Sequence, residues 1–167
     1  MFQFLYRLRL ILPLIFLSGY IHSSGFLRTD GRSIVDENGN PVLLRGFGLG
    51  GWLVQEGYMW NIHGFFGSPS NIESKIIDLV GTENTAAFYQ VYYENYITEA
   101  DVAFIAANGF NAIRVPFHYK FFSPEPGEYV QDGFNLIDQL LEWCAAYGVY
   151  LILDMHCAPG AQNTNDF

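Results

Sequence analysis

Positive charge is what this sequence has least of. Eight Lys+Arg stand against 17 Asp+Glu in 167 residues, a formal net charge of −9. Setting aside Arg7 and Arg9, which lie in a leader-like segment, 6 basic residues face 17 acidic ones. No basic cluster survives, which argues against nucleic acid as a partner and leaves neutral or cationic ligands open. Cysteine is also scarce. Cys144 falls on a predicted helix and Cys157 just past a predicted strand, an arrangement that permits a disulfide without implying one. The four histidines, His22, His63, His118 and His156, are scattered and show no metal-ligand spacing among themselves. What is abundant is apolar surface: half the residues are hydrophobic and 17% aromatic, far too rich for a disordered chain.

Residues 1–24 read as a secretory signal peptide. Arg7 and Arg9 form a basic start, Leu10 to Leu17 a short apolar core, and Ser18, Gly19, Ser23, Ser24 and Gly25 a small-residue stretch. The apolar core is too short for a permanent membrane span, although an uncleaved anchor remains the alternative. Cleavage is expected between Gly19 and Gly25, with an extracellular or periplasmic location following.

The remaining 25–167 reads as one domain. Asp30-Gly31 and Asn38-Gly39 suit tight turns and predict a small β-hairpin, which feeds a strand over 42–47. A long aromatic and glycine-rich loop runs from Gly48 to Pro69. Ser70 and Glu73 suggest a capping box opening a helix that Gly81 closes, and a second helix spans roughly 83–95. Thr98-x-x-Asp101 starts a third helix that Asn108-Gly109 stops. The strand 111–117, the helix 134–147 and the strand 149–155 follow. Apolar strands alternating with amphipathic helices mean a parallel sheet. The order fits an α/β fold, a TIM (β/α)8 barrel of which only about the first three β/α units are present. Such a barrel normally needs about 250 residues, so a truncated domain is expected.

The most informative segment is Leu153-Asp154-Met155-His156-Cys157-Ala158-Pro159-Gly160-Ala161-Gln162-Asn163. Side chains two apart on a strand point the same way, so Asp154 and His156 share a face at its carboxyl end, where parallel folds collect catalytic groups. Asp-x-His also occurs as a metal-ligand pair, which keeps a metal-dependent hydrolase as one alternative. Arg114 stands on an otherwise apolar strand, and a charge there is rarely buried unless paired. It reads either as an ion-pair partner of Asp154 or as a group that holds a carboxylate ionised.

Gly46-Phe47-Gly48-Leu49-Gly50-Gly51 matches G-x-G-x-x-G after a strand. A dinucleotide site also needs a helix opening at the glycines and an acid closing the next strand, and Arg114-Val115-Pro116-Phe117 supplies none. Aromatics cluster in two loops, Trp52, Tyr58, Trp60, Phe65 and Phe66 in one, Phe117, His118, Tyr119, Phe121 and Phe122 in the other. Such faces suit the C–H face of a pyranose, while Glu56 and Asn163 take its hydroxyls. The bland alternative is that the aromatics pack the loops onto the body. A non-catalytic glycan-binding protein therefore also stays open.

Four stretches resemble glycoside hydrolase family 5, the cellulase-type enzymes. They are Asp36-Glu37-Asn38-Gly39-Asn40-Pro41-Val42-Leu43-Leu44-Arg45-Gly46, Gly50-Gly51-Trp52-Leu53-Val54-x-Glu56, Gly109-Phe110-Asn111-Ala112-Ile113-Arg114-Val115-Pro116, and the run from Asp154 to Asn163. The second and fourth also resemble the exo-β-1,3-glucanase branch, from which Phe47-Gly48 departs. The resemblance implies retaining hydrolysis of β-glucosidic bonds by two glutamates, one an acid/base and one a nucleophile. The family places the acid/base in an Asn-Glu-Pro motif, which these 167 residues do not contain. It implies that Arg114 supports the nucleophile, that His156 lines the subsite at the scissile bond, and that Glu56 binds sugar hydroxyls, with Trp52, Tyr58 and Asn163 as further substrate contacts. It also implies a polysaccharide substrate, β-glucan foremost, and no cofactor. By this reading the catalytic glutamates lie beyond Phe167 and the chain alone is inactive.

Overall fold

The computed structural model describes residues 25–62 and 67–160. The signal-peptide segment 1–24, and with it His63, Phe65, Phe66 and Asn163, lies outside the described residues. The chain opens with the expected hairpin: β1 (Arg28–Asp30) pairs antiparallel with β2 (Ser33–Val35). Gly31 takes φ 58°, the left-handed region the tight turn requires.

The strand expected over 42–47 is shorter and later. β3 covers only Gly46–Gly48. Val42 is tied back to the hairpin through its N–H to the Ile34 carbonyl (2.8 Å), and the Arg45 N–H goes to the Asn111 side chain (2.7 Å). Those donors are spent before the ladder begins. Asn111 also gives its own amide to the Leu43 carbonyl (3.0 Å), so one side chain knots the start of two strands.

Three helices follow. α1 (Pro69–Val80) starts one residue before the predicted capping box. Ser68, not Ser70, is the cap: its hydroxyl accepts from the Asn71 N–H (3.2 Å), and Pro69 occupies the first turn, where a missing N–H costs nothing. α2 (Thr82–Tyr96) follows directly after Gly81. α3 (Glu99–Ala107) carries the predicted capping box, with the Asp101 carboxylate accepting from the Thr98 N–H at 2.8 Å.

β4 (Ala112–His118), α4 (Asp132–Tyr147) and β5 (Tyr150–Cys157) complete the order, with a 3₁₀ turn at Tyr119–Phe121. The helix begins two residues earlier than predicted and the last strand runs two residues further. β3, β4 and β5 form one parallel sheet in sequence order. α1–α3 make the crossover from β3 to β4, and α4 makes that from β4 to β5.

Alternation along β4 divides its side chains. Ile113, Val115 and Phe117 are buried and pack in one core with Val102 and Ile105 of α3 and Ile137, Leu140 and Cys144 of α4. Arg114 lies on the opposite face. On β5 only one edge is paired among the described residues, and Ile152, Leu153 and Met155 are 40–56% exposed. No helix of the described residues is long and apolar enough to cross a membrane.

Candidate active site

The register of β4 against β5 decides what meets at their carboxyl ends. Arg114 aligns with Ile152 and Pro116 with Asp154, so Asp154 is the diagonal neighbour of Arg114 on the same face. The register then shifts between Phe117 and His118, leaving His156 without an aligned partner. Bulges of this kind re-aim a side chain at a sheet end. His156 stays on the face of Asp154, its Nδ1 within 3.2 Å of the carboxylate.

The three side chains converge. An Nη of Arg114 pairs with a carboxylate oxygen of Asp154, and the same nitrogen lies 3.2 Å from Nδ1 of His156. That Nδ1 is also 3.2 Å from the Asp154 oxygen. A ring nitrogen holds one proton or one lone pair, so Nδ1 either donates to Asp154 or accepts from Arg114. The guanidinium is always a donor. The tautomer of His156 is therefore tied to the Arg114–Asp154 pair through one carboxylate oxygen. Of the two sequence readings of Arg114, the ion pair with Asp154 is present.

Glu56 joins from the loop after β3. The loop is bound to the sheet by a parallel bridge between Leu53 and Phe117, which carries residues 53–56 to the carboxyl end of β4. Tyr58 is 69% exposed, and its hydroxyl donates to the Glu56 carboxylate (3.3 Å). Burial pushes the Cys157 thiol up to about 11, with Glu56 and Asp154 adding to the shift. Cys144 and Cys157 are free, buried thiols, and Cys144 is likewise raised to about 11 by burial.

Trp52 requires a correction. It is 1% exposed and packs in the core with its indole N–H donating to the Tyr93 carbonyl (3.1 Å), so it presents no face to a ligand. Several of the other described loop aromatics also pack against the body. Trp60 lies against Phe88 and Tyr92, Phe121 against Tyr93, and Phe122 between Phe117 and Phe134. The cause is a tyrosine ladder on α2 that the loop reading overlooked. Tyr92 and Tyr96 give their hydroxyls to the carbonyls of Gly51 and Gly50, and a Cβ on Gly51 would stand 2.5 Å from the Tyr96 hydroxyl. The glycines after β3 admit these tyrosines. The signal was in the sequence: positions 89, 93 and 88, 92, 96 recur at helical spacing.

The sequence model of cellulase, glycosyl hydrolase family 5, matches residues 70–167, more than half of the chain. The chain belongs to glycosyl hydrolase family 5. It is 40% identical over 142 residues to a beta-xylosidase of Phanerodontia chrysosporium, covering 84% of this chain and 29% of that protein. It is 33% identical over 142 residues to glucan 1,3-beta-glucosidase 1 of Schizosaccharomyces pombe, covering 78% and 35% respectively. A 75-residue stretch is 44% identical to endoglucanase C of Acetivibrio thermocellus, covering 44% of this chain and 22% of that one. The chain thus spans about a third of the length of the curated relatives it matches along most of its own. Among solved structures, that of AoRut superposes with a TM-score of 0.57 at 26% identity, over 70% of this chain and 33% of that one. The rutinosidase of Aspergillus niger gives the same TM-score at 22% identity and the same coverage, a likeness of fold. The β3–β5 sheet and its helices are the opening units of the family 5 (β/α)8 barrel.

Proposed function

We propose that this chain supplies the first strands and part of the sugar-binding floor of a secreted retaining β-glycosidase acting on a β-linked polysaccharide, β-1,3-glucan or a cellulose-type glucan. The observation that carries the reading is the meeting of Arg114, Asp154 and His156 at the carboxyl ends of β4 and β5, with the Leu53–Phe117 bridge bringing the loop that bears the Glu56–Tyr58 pair to the end of β4. Barrel enzymes place their reacting groups at that end of the sheet.

The chemistry assigns roles. Retaining cleavage places an acid and a nucleophile about 5 Å apart. In this reading both glutamates come from outside residues 25–160, and Arg114 stabilises the nucleophile as an anion by proximity of charge. His156 and the Glu56–Tyr58 pair hold sugar hydroxyls, Glu56 as an acceptor and the phenol as a donor. Export rests on the leader read in residues 1–24.

The names of the relatives span xylosidase, 1,3-glucosidase and endoglucanase, so the test spans them too. Intact protein is assayed on laminarin, carboxymethylcellulose and an aryl β-xyloside. Cleavage of a β-glucan is expected, and Glu56→Gln should lower kcat/KM about 10–100-fold, the worth of one charge-assisted hydrogen bond. Retention of the protein on a glucan affinity gel with no turnover of any of the three would replace the hydrolase by a glycan-binding module.

A further inference from the structure

Gln55 is 3% exposed, in a run with the buried Leu53 and Val54 and just before the half-buried Glu56. Burying a primary amide is unfavourable unless its hydrogens find acceptors, and an aliphatic side chain would fill the same space without that cost. The nitrogen has two acceptors: it donates to the Trp52 carbonyl (3.0 Å) and to the Tyr93 hydroxyl (3.2 Å). A carbonyl only accepts, so the contact with Trp52 fixes which end of the amide is the nitrogen. Burial pushes the Tyr93 phenol up to about 12, so near neutral pH the second acceptor is an uncharged hydroxyl.

Tyr93 thus holds the loop after β3 twice. Its carbonyl accepts the Trp52 indole N–H (3.1 Å) and its phenol accepts from Gln55, so backbone and side chain of one α2 residue grip positions 52 and 55. Tyr92 and Tyr96 fix the residues before them through the Gly51 and Gly50 carbonyls. Glu56 follows directly. Its carbonyl accepts the Met59 N–H (2.9 Å), while its carboxylate meets the Tyr58 hydroxyl at 3.3 Å. That is long for a hydroxyl donor, and Tyr58 is itself largely exposed, so this contact holds the carboxylate only weakly. Its placement is inherited from the backbone that Gln55 pins to α2.

We infer that Gln55 is a positioning residue: its buried amide ties the loop after β3 to α2 and so sets where the Glu56 carboxylate meets a sugar hydroxyl. This role rests on the glycosidase reading, in which Glu56 binds substrate. A group that acts through Glu56 has an effect bounded by the worth of Glu56 itself, and the effect vanishes when Glu56 is removed. A group that only stabilises the fold has neither property.

The test is a double-mutant cycle on the intact protein, with kcat/KM per folded molecule read on whichever of laminarin, carboxymethylcellulose and the aryl β-xyloside the wild type cleaves. Gln55→Met keeps the length of the side chain and removes both donors. It should lower kcat/KM about tenfold, because a small misplacement of a substrate contact is felt at the reacting centre. In the Glu56→Ala background the same change should have less than about a twofold effect. Tyr93→Phe removes one acceptor, keeps the carbonyl that holds Trp52, and should lose about threefold, again only where Glu56 is present. Should Gln55→Met not fold, Tyr93→Phe completes the cycle in its place. Trp52→Phe keeps both acceptors of Gln55 and controls for general loosening: it is destabilised, with kcat/KM per folded molecule unchanged. Equal factors with and without Glu56, an unchanged kcat/KM in Gln55→Met, or a matching loss in Trp52→Phe overturns the role of Gln55 and leaves the glycosidase reading intact. No turnover of any of the three substrates by the wild type overturns both.

Discussion

Replacing Arg114 by Met separates what the ion pair does for stability from what it does for chemistry. Met keeps an apolar stem of similar length and removes only the guanidinium. The paired side chains are 45% and 31% exposed, and a pair in that regime contributes about 0.2–1 kcal/mol. Asp154 is not stranded by the change, because Nδ1 of His156 remains 3.2 Å away and can donate to it. Stranding a buried carboxylate would instead cost about 3–5 kcal/mol. Urea unfolding followed by tryptophan fluorescence should therefore show a loss of no more than about 1 kcal/mol. The effect on catalysis should be larger. With the guanidinium gone, the nucleophile loses the neighbouring charge that holds it as an anion, and one such charged contact is worth about a hundredfold in rate, roughly 2.7 kcal/mol of barrier. A stability loss near 3 kcal/mol with kcat/KM scaling only with folded fraction would refute the reasoning, since Arg114 would then be a structural residue.

Trp52→Phe should cost about 1–3 kcal/mol, from lost volume and the lost hydrogen bond to the Tyr93 carbonyl, and leave KM for glucan unchanged; a raised KM at unchanged stability would restore Trp52 to the cleft. With thiols raised to about 11, roughly one in a thousand is ionised at pH 8. Iodoacetamide should then leave Cys144 and Cys157 unmodified in native protein and alkylate both after denaturation, read by peptide mass mapping. His118 has its proton affinity lowered from the ordinary 6.5, first by burial and then by Lys120. Its neutral form is favoured on folding, so stability is full above pH 6.5 and falls as pH drops through the lower folded value. His118→Gln should flatten that part of the stability–pH curve, and an unchanged slope would contradict the assignment.

How legible this was depends on the range over which each feature is determined. Elements with local punctuation came out within one or two residues: the Asp30-Gly31 hairpin, the Thr98–Asp101 capping box, and the Gly81 stop. Asp154 and His156 were found together because strand alternation alone puts them on one face. Features set by distant partners were missed or misplaced. The ladder starts late at Gly46 because Asn111, more than sixty residues away, takes the Arg45 N–H. Trp52 faces inward because Tyr93 of α2 offers it a carbonyl, a contact across 41 residues that no reading of a glycine-rich loop supplies. Ser70 lost the cap to Ser68 because Pro69 fits the first turn better than it fits the position before it.

The most direct test of the account is the stereochemistry of the first product. Intact protein is mixed with laminarin, and the anomeric protons of the released sugar are followed by NMR before mutarotation blurs them. A double displacement on a β-glucan releases the β-anomer first, and that is the predicted result, with the signal growing at least tenfold more slowly in Arg114→Met. Release of the α-anomer first, or no sugar released from this or any other β-glucan, would contradict it.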